Sequence, residues 1–475
     1  MARNTIFHTS TREPFHNDPT MELDSRHTRG AFSFLNPTHA RLNPTAKHLS
    51  SLKTPSDETS EEEEHHPTTT QSHSSEERQP SESHLSPFEK KQKEKQQLQQ
   101  QPATAVAYQW RSRDNRKGRH TLVVTPPSSS STEEAKYLAP PSTSTLRAVA
   151  HGILRMFVYY PYWDVSWWVA VMFTLGSVVW VFNAFFVWLP LADPATEFPN
   201  ESVVAGGWTA FIGATIFELG SILLMIEAVN ENRSGCFGWA LEQVLDDEKA
   251  RWSISASPSS QHCTHHHTNR KNFVSNNATE SSSKTTWQWL PTWHDLHTHY
   301  LHELGFLACL FQYLGATIFW ISGFTALPQI QSLLPTQSAI NGAYWIPQII
   351  GGSGFIISSF CFMLETQPKW YIPSWRVLGW WIGLWNLVGA LGFTLCGALG
   401  LVFASPDAQY QANLATFWGS WAFLIGSVLQ WYESLDTHPV EVQKVQTGQK
   451  GGGGGDDDDD DDVGVERGGK QQMME

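Results

Sequence analysis

One ionisable side chain sits in the middle of a long apolar run: Glu218, flanked by Phe217 and Leu219. A carboxyl group is costly in hydrocarbon, so a residue of this type marks proton or cation handling, or a hydrogen-bonded packing contact. The uncharged polar partners at similar depth are Asn183, Gln312, Asn386 and Gln430. Two readings stay open: a carboxyl bonded to Gln312 or Asn386 for packing, or a carboxylate that carries protons or cations.

Three further carboxylates recur at one position. Glu227, Glu365 and Glu433 each close an apolar run, 14 residues after a glycine of the repeated motif described below. A negative charge at a helix C-terminus opposes the helix dipole, so each calls for a cation. Arg155, Arg233, Lys369 and Arg376 lie on the same side, which suggests an inner ring of salt bridges and, functionally, a gate at that end. Histidines cluster between the second and third runs: His262, His265, His266 and His267 with Cys263, then His294, His297, His299 and His302 with Asp295 and Glu303. On a continuous helix Asp295, His299 and His302 share a face and could hold a metal. A polar loop running into an amphipathic entry helix accounts for the same residues. The apolar runs hold no histidine or aspartate to pass a dehydrated ion onward.

Catalytic and cofactor signatures are absent: there is no HExxH, GxSxG or GxxxxGK[ST]. The expected function is therefore non-enzymatic, with no cofactor and no nucleic-acid partner. A basic run, Arg111, Arg113, Arg116, Lys117 and Arg119, reads as a solvated linker with some attraction to anionic lipid.

The elements that must position these residues are six apolar stretches, about 165–189, 204–228, 304–327, 344–364, 377–403 and 413–432. About 20 residues suffice to cross a bilayer core, and helix is the open-chain solution there. The predicted fold is an all-α membrane protein of six transmembrane helices. Each stretch carries one nine-residue pattern: Gly, small, x, x, aromatic, x, x, small, small. The copies start at Gly176, Gly213, Gly315, Gly351, Gly389 and Gly419. At 100° per residue these positions span a stripe of about 120°. Small residues let helices approach closely; alternatively the glycines open a cavity and the six aromatic residues form a cage.

Odd stretches are entered through aromatic-x-Pro-x-Trp (Tyr159 to Trp163, Trp289 to Trp293, Tyr371 to Trp375), and even ones end in the recurring glutamate. The unit is a hairpin, repeated three times in parallel. The loops after the first, third and fifth stretches contain no Lys or Arg, whereas the opposite side carries Arg147, Arg155, Lys249, Arg251, Lys369, Arg376 and Lys444 among others. The positive-inside rule places both termini in the cytoplasm. Of the sequons at Asn200, Asn232 and Asn277, only Asn200 then faces the lumen or exterior.

Composition divides the chain. The net charge of −14 is averaged over unlike parts, since all but Trp110 of the 22 tryptophans lie between residues 157 and 435. Residues 1–150 are polar and predicted to be a disordered cytoplasmic tail, as are an insert at about 250–286 and the acidic tail 436–475. The tail, with Asp456 to Asp462, could meet a basic partner or bind divalent cations weakly. The N-terminus has no apolar signal segment, so the first helix is expected to direct its own insertion. Five cysteines with no CxxC pair indicate no disulfide framework. The lipid bilayer is the expected partner, and neither organelle nor oligomeric state is indicated.

The segments beginning Gly213-Ala-Thr-Ile-Phe-Glu-Leu-Gly-Ser and Gly315-Ala-Thr-Ile-Phe-Trp-Ile-Ser-Gly resemble the uncharacterised fungal integral membrane proteins. The paired helices are also similar to the small YrhK-like two-helix membrane domain. The resemblance covers about 157–435 and implies a fold, not an activity. Two functions remain. One is a bundle that organises the membrane or passes a small solute. The other is a proton-coupled or divalent-cation transporter built on Glu218 and the histidine loop.

Overall fold

A computed structural model describes residues 16–17, 21–44, 101–103, 105–119, 121–127, 137–139, 141–231, 274–275, 287–436 and 439–443. Its principal elements are strands β1 (Met21–Arg29), β2 (His39–Pro44) and β3 (Ala105–Arg111), a helical turn α1 (Ser112–Arg116) and strand β4 (Thr121–Thr125). Helix α2 (Leu146–Val158) leads into six long helices: α3 (Val165–Ala192), α4 (Gly206–Val229), α5 (Leu304–Thr325), α6 (Ile346–Glu365), α7 (Leu378–Gly400) and α8 (Pro406–Leu435). Strand β5 (Val440–Val442) follows.

All six long helices are apolar and long enough to cross a membrane. They match the expected stretches to within a few residues, except that α8 starts earlier, at Pro406. Asp164 caps α3 by accepting from the Ser166 amide at 2.9 Å, as a helix start requires. Each long helix packs against its neighbour in sequence, and α8 returns to α3, closing a ring. The outward faces expose Leu175, Phe182, Leu219, Ile350 and Leu391, an apolar girdle suited to lipid.

The glycine, aromatic and small positions of the nine-residue motif are buried in all six copies. The close approach is tight. A Cβ on Gly176 would lie 2.4 Å from the Phe217 ring and one on Gly213 2.8 Å from Trp180, so each glycine receives the ring of the facing helix. The aromatic residues, Trp180, Phe217, Phe319, Phe355, Phe393 and Phe423, form one buried cluster. Their rings touch each other: Trp180 meets Phe393 edge-on at 4.8 Å, Phe217 meets Phe423 at 5.6 Å, and Phe393 meets Phe423 at 5.4 Å. They fill the bundle centre, so the motif is a packing face and the aromatic cage is set aside.

Within the N-terminal 150 residues, the described segments 21–44, 105–119 and 121–125 are folded, where a disordered tail is expected. β1 to β5 form one sheet in sequence order, antiparallel throughout except that β5 joins β4 in parallel. Its register aligns Leu23, Leu42, Tyr108, Leu122 and Val440 in one row across five strands. Low average hydropathy hid this, because short alternating strands need few apolar residues once a bundle end covers one face. The acidic tail is corrected likewise at 439–443. The insert 250–286 lies outside the described residues, except for 274–275.

Candidate functional site

The most concentrated chemistry lies where the sheet meets the bundle. Glu227, Glu365 and Glu433, from α4, α6 and α8, are 0%, 0% and 1% exposed. Their partners come from the segment around α1. Arg113, Arg116 and Lys117 have the i, i+3, i+4 spacing that puts side chains on one face of a helical turn. Asp114, on the other face, accepts from Arg119 Nη1 at 3.0 Å and from Thr121 Oγ1 at 3.3 Å, folding the chain back. Gly118, with φ 63°, makes the reversal, a left-handed conformation that suits glycine.

Two glutamates are gripped by Arg forks. Arg113 donates Nε and Nη2 to Glu433 at 3.0 and 2.7 Å. Arg116 donates Nη1 and Nη2 to Glu365 at 2.7 and 3.1 Å, and Ser112 Oγ adds 3.0 Å to the same carboxylate. Arg119 reaches Glu433 at 3.1 Å and donates Nε to the Asp436 carbonyl at 2.7 Å. Burial works against the charge on Arg113, Arg116 and Arg119, but the facing carboxylates more than offset it and hold each guanidinium protonated. Such bidentate pairs are the strong ones among ionic contacts.

Glu227 is treated differently. Lys117 Nζ is 3.4 Å and Arg116 Nε 3.6 Å from Glu227 Oε1. None of these atoms, nor Glu227 Oε2, makes a hydrogen bond, although all are buried. Beside them is a cavity of about 30 Å³ lined by Arg116, Lys117, Gln312, Asn386 and Gln430, among others. That is room for one or two waters among polar groups.

The salt-bridge ring thus exists with other cations than expected. Arg155 stacks on Tyr159 at 4.5 Å, and Lys369 lies 5.9 Å from the Tyr371 ring; Arg233 lies outside the described residues. The basic run at 111–119 is no solvated linker, since Arg113, Arg116, Lys117 and Arg119 are 8% exposed or less. The legible signal was three cations on one helical face matching three glutamates at one repeat position.

The intramembrane polar residues disperse. Glu218 does not meet Gln312 or Asn386. It accepts from Thr317 Oγ1 at 2.9 Å, half-buried in the seam between α4 and α5. Gln312 and Asn386 line the small cavity instead. Asn183 donates to the Gly206 carbonyl at 2.7 Å and to Thr209 at 3.0 Å, tying α3 to α4.

The histidine site also changes membership. A short helix, Trp293–Thr298, ends at His299, and a tighter turn, Tyr300–His302, follows. The break removes the common face expected of Asp295, His299 and His302. His299 instead approaches Glu231 and Glu303, with Nε2 3.7 Å from a carboxylate oxygen of each. Burial and the charge of Glu231 push Glu303 up to about 8. Burial alone would raise Glu231 too, but hydrogen bonding and charge from His299 outweigh it and lower that group. His262 to His267 lie outside the described residues.

No protein-family model, curated protein or solved structure matches this chain.

Proposed function

We propose that this is a non-enzymatic integral membrane scaffold. Its bundle of three parallel hairpins is closed along the centre and locks a folded cap onto its glutamate-bearing end. The observation that carries this reading is the mutual contact of six motif aromatics on six helices, which closes the bundle centre at their level. The ion-paired α1 turn supports it, since burying four cations against the three bundle glutamates fixes one docking geometry for the cap. The positive-inside bias puts the cap and both tails in the cytoplasm, where the chain's role is to present them at the membrane surface. The same reading takes the chain as kin to the uncharacterised fungal integral membrane proteins with YrhK-like hairpins.

A transporter built on Glu218 is disfavoured by position. The carboxyl lies in an outer helix seam with a threonine partner, away from the cavity that holds Gln312 and Asn386. Purified protein in proteoliposomes is expected to pass protons, zinc and manganese no faster than protein-free vesicles. Flux above that background, lost in Glu218→Gln, would overturn the scaffold reading.

A further inference from the structure

The turn after α4 and the entry to α5 bring together three metal-competent side chains outside the arginine–glutamate cluster, one of them, Glu303, also bonded to Asn36 of the cap. Glu231, His299 and Glu303 each offer one ligand atom, and these atoms lie within 4.8 Å of one another. We propose that they form a structural site for a zinc-class divalent cation, which staples the end of α4 to the start of α5.

Geometry is the first argument. His299 Nε2 stands 3.7 Å from Glu231 Oε2 and 3.7 Å from Glu303 Oε1. Zinc takes N and O ligands at about 2.0–2.2 Å, which puts ligand atoms about 3.4–3.6 Å apart in tetrahedral or trigonal arrangements. The two His299 distances are within a few tenths of an ångström of that shell, and the full set of ligand atoms lies within 4.8 Å.

Charge is the second. The three side chains are 14%, 9% and 12% exposed, and two carboxylates face one imidazole. Arg116, whose charge reaches Glu231, is already bound to Glu365. A divalent cation neutralises such a set. A nitrogen with two oxygens favours zinc and its first-row neighbours over calcium or magnesium, which prefer oxygen alone.

Support of the ligands is the third. Tyr300, next to His299, donates Oη to the Val229 carbonyl at 2.8 Å. Asn230, next to Glu231, donates Nδ2 to the Gln288 carbonyl and accepts from the Gln288 amide at 2.7 Å. The two ligand-bearing segments are therefore held in register independently of any ion, which is the preorganisation a metal site needs.

The test uses the full chain, purified in detergent and stripped with chelator. His262, His265, His266 and His267 are changed to alanine to remove competing zinc ligands. Dialysis against zinc chloride should leave one zinc per chain and raise the melting temperature. Glu303→Gln, close in shape, should weaken zinc binding by about tenfold or more and abolish that rise, as should His299→Ala, while Glu218→Gln keeps both. The proposal fails if the tetra-alanine protein retains no zinc, or if Glu303→Gln binds and stabilises equally. Should His299→Ala not fold, Glu303→Gln decides alone. Zinc bound without vesicle flux keeps both this site and the scaffold reading; zinc flux overturns the scaffold and leaves the site standing.

Discussion

Arg116 grips Glu365 with two hydrogen bonds, at 2.7 and 3.1 Å, across 249 residues of chain. The contact joins a segment preceding every membrane helix to the end of α6. Both side chains are buried, so removing one strands the other. Glu365→Ala is expected to cost about 3–5 kcal/mol, and Arg116→Ala a similar amount. The double variant should cost much less than the sum, because no unpaired charge remains. Melting temperatures of the four proteins in one detergent give the coupling. Additive losses would show that the pair is not interacting.

Much of the bundle was legible in the sequence. Glycine at position 0 and an aromatic residue at position 4 state directly which stripe of each helix is buried, because the helix period alone decides it. The glutamates were legible as a set needing cations. Their partners were not: Arg113 and Glu433 are 320 residues apart, and nothing local tells a buried arginine from a solvated one. Similarly, Asp295, His299 and His302 shared a face only if one helix continued, and the chain breaks that helix at His299. Local periodicity carries helix faces well and long-range charge pairing poorly.

Gly118 turns the chain between the α1 cations and β4 with φ 63°. A Cβ in left-handed backbone costs about 1–2 kcal/mol. Gly118→Ala should lower the stability of the capped state by about that amount. Gly342 has open space around it, so its alanine variant controls for a general glycine effect. Differential scanning of both in detergent checks this, and equal melting temperatures for the two would remove the special role of Gly118.

The sheet should be acid-sensitive through His39. Burial, aided by the Arg111 charge, holds its imidazole down to about 3, against 6.5 for an ordinary histidine. Above pH 6.5 the ring is neutral both folded and unfolded, and contributes no pH dependence. As pH falls below 6.5 the unfolded chain takes up the proton and the folded one does not, so stability declines until about pH 3. At pH 5 the loss approaches about 2 kcal/mol. His39→Gln should flatten this part of the profile of melting temperature against pH. An unchanged slope would mean that other groups carry the acid response.

Orientation has a direct chemical readout in the sequons. Asn200 lies exposed between α3 and α4, at the bundle end opposite Glu227, whereas Asn232 and Asn277 fall in the sequence between α4 and α5. With the Lys- and Arg-bearing side in the cytoplasm, only Asn200 can meet the glycosylation machinery, and its few residues of separation from α4 make partial occupancy the expected result. Mass-spectrometric peptide mapping of protein from a glycosylating host should find a glycan on Asn200 or on none of the three. Asn200→Gln should remove any glycosidase-sensitive gel shift. A glycan on Asn232 or Asn277 would invert the bundle, place the Arg116–Glu365 cap outside the cytoplasm, and remove the basis for presenting the tails to cytoplasmic partners.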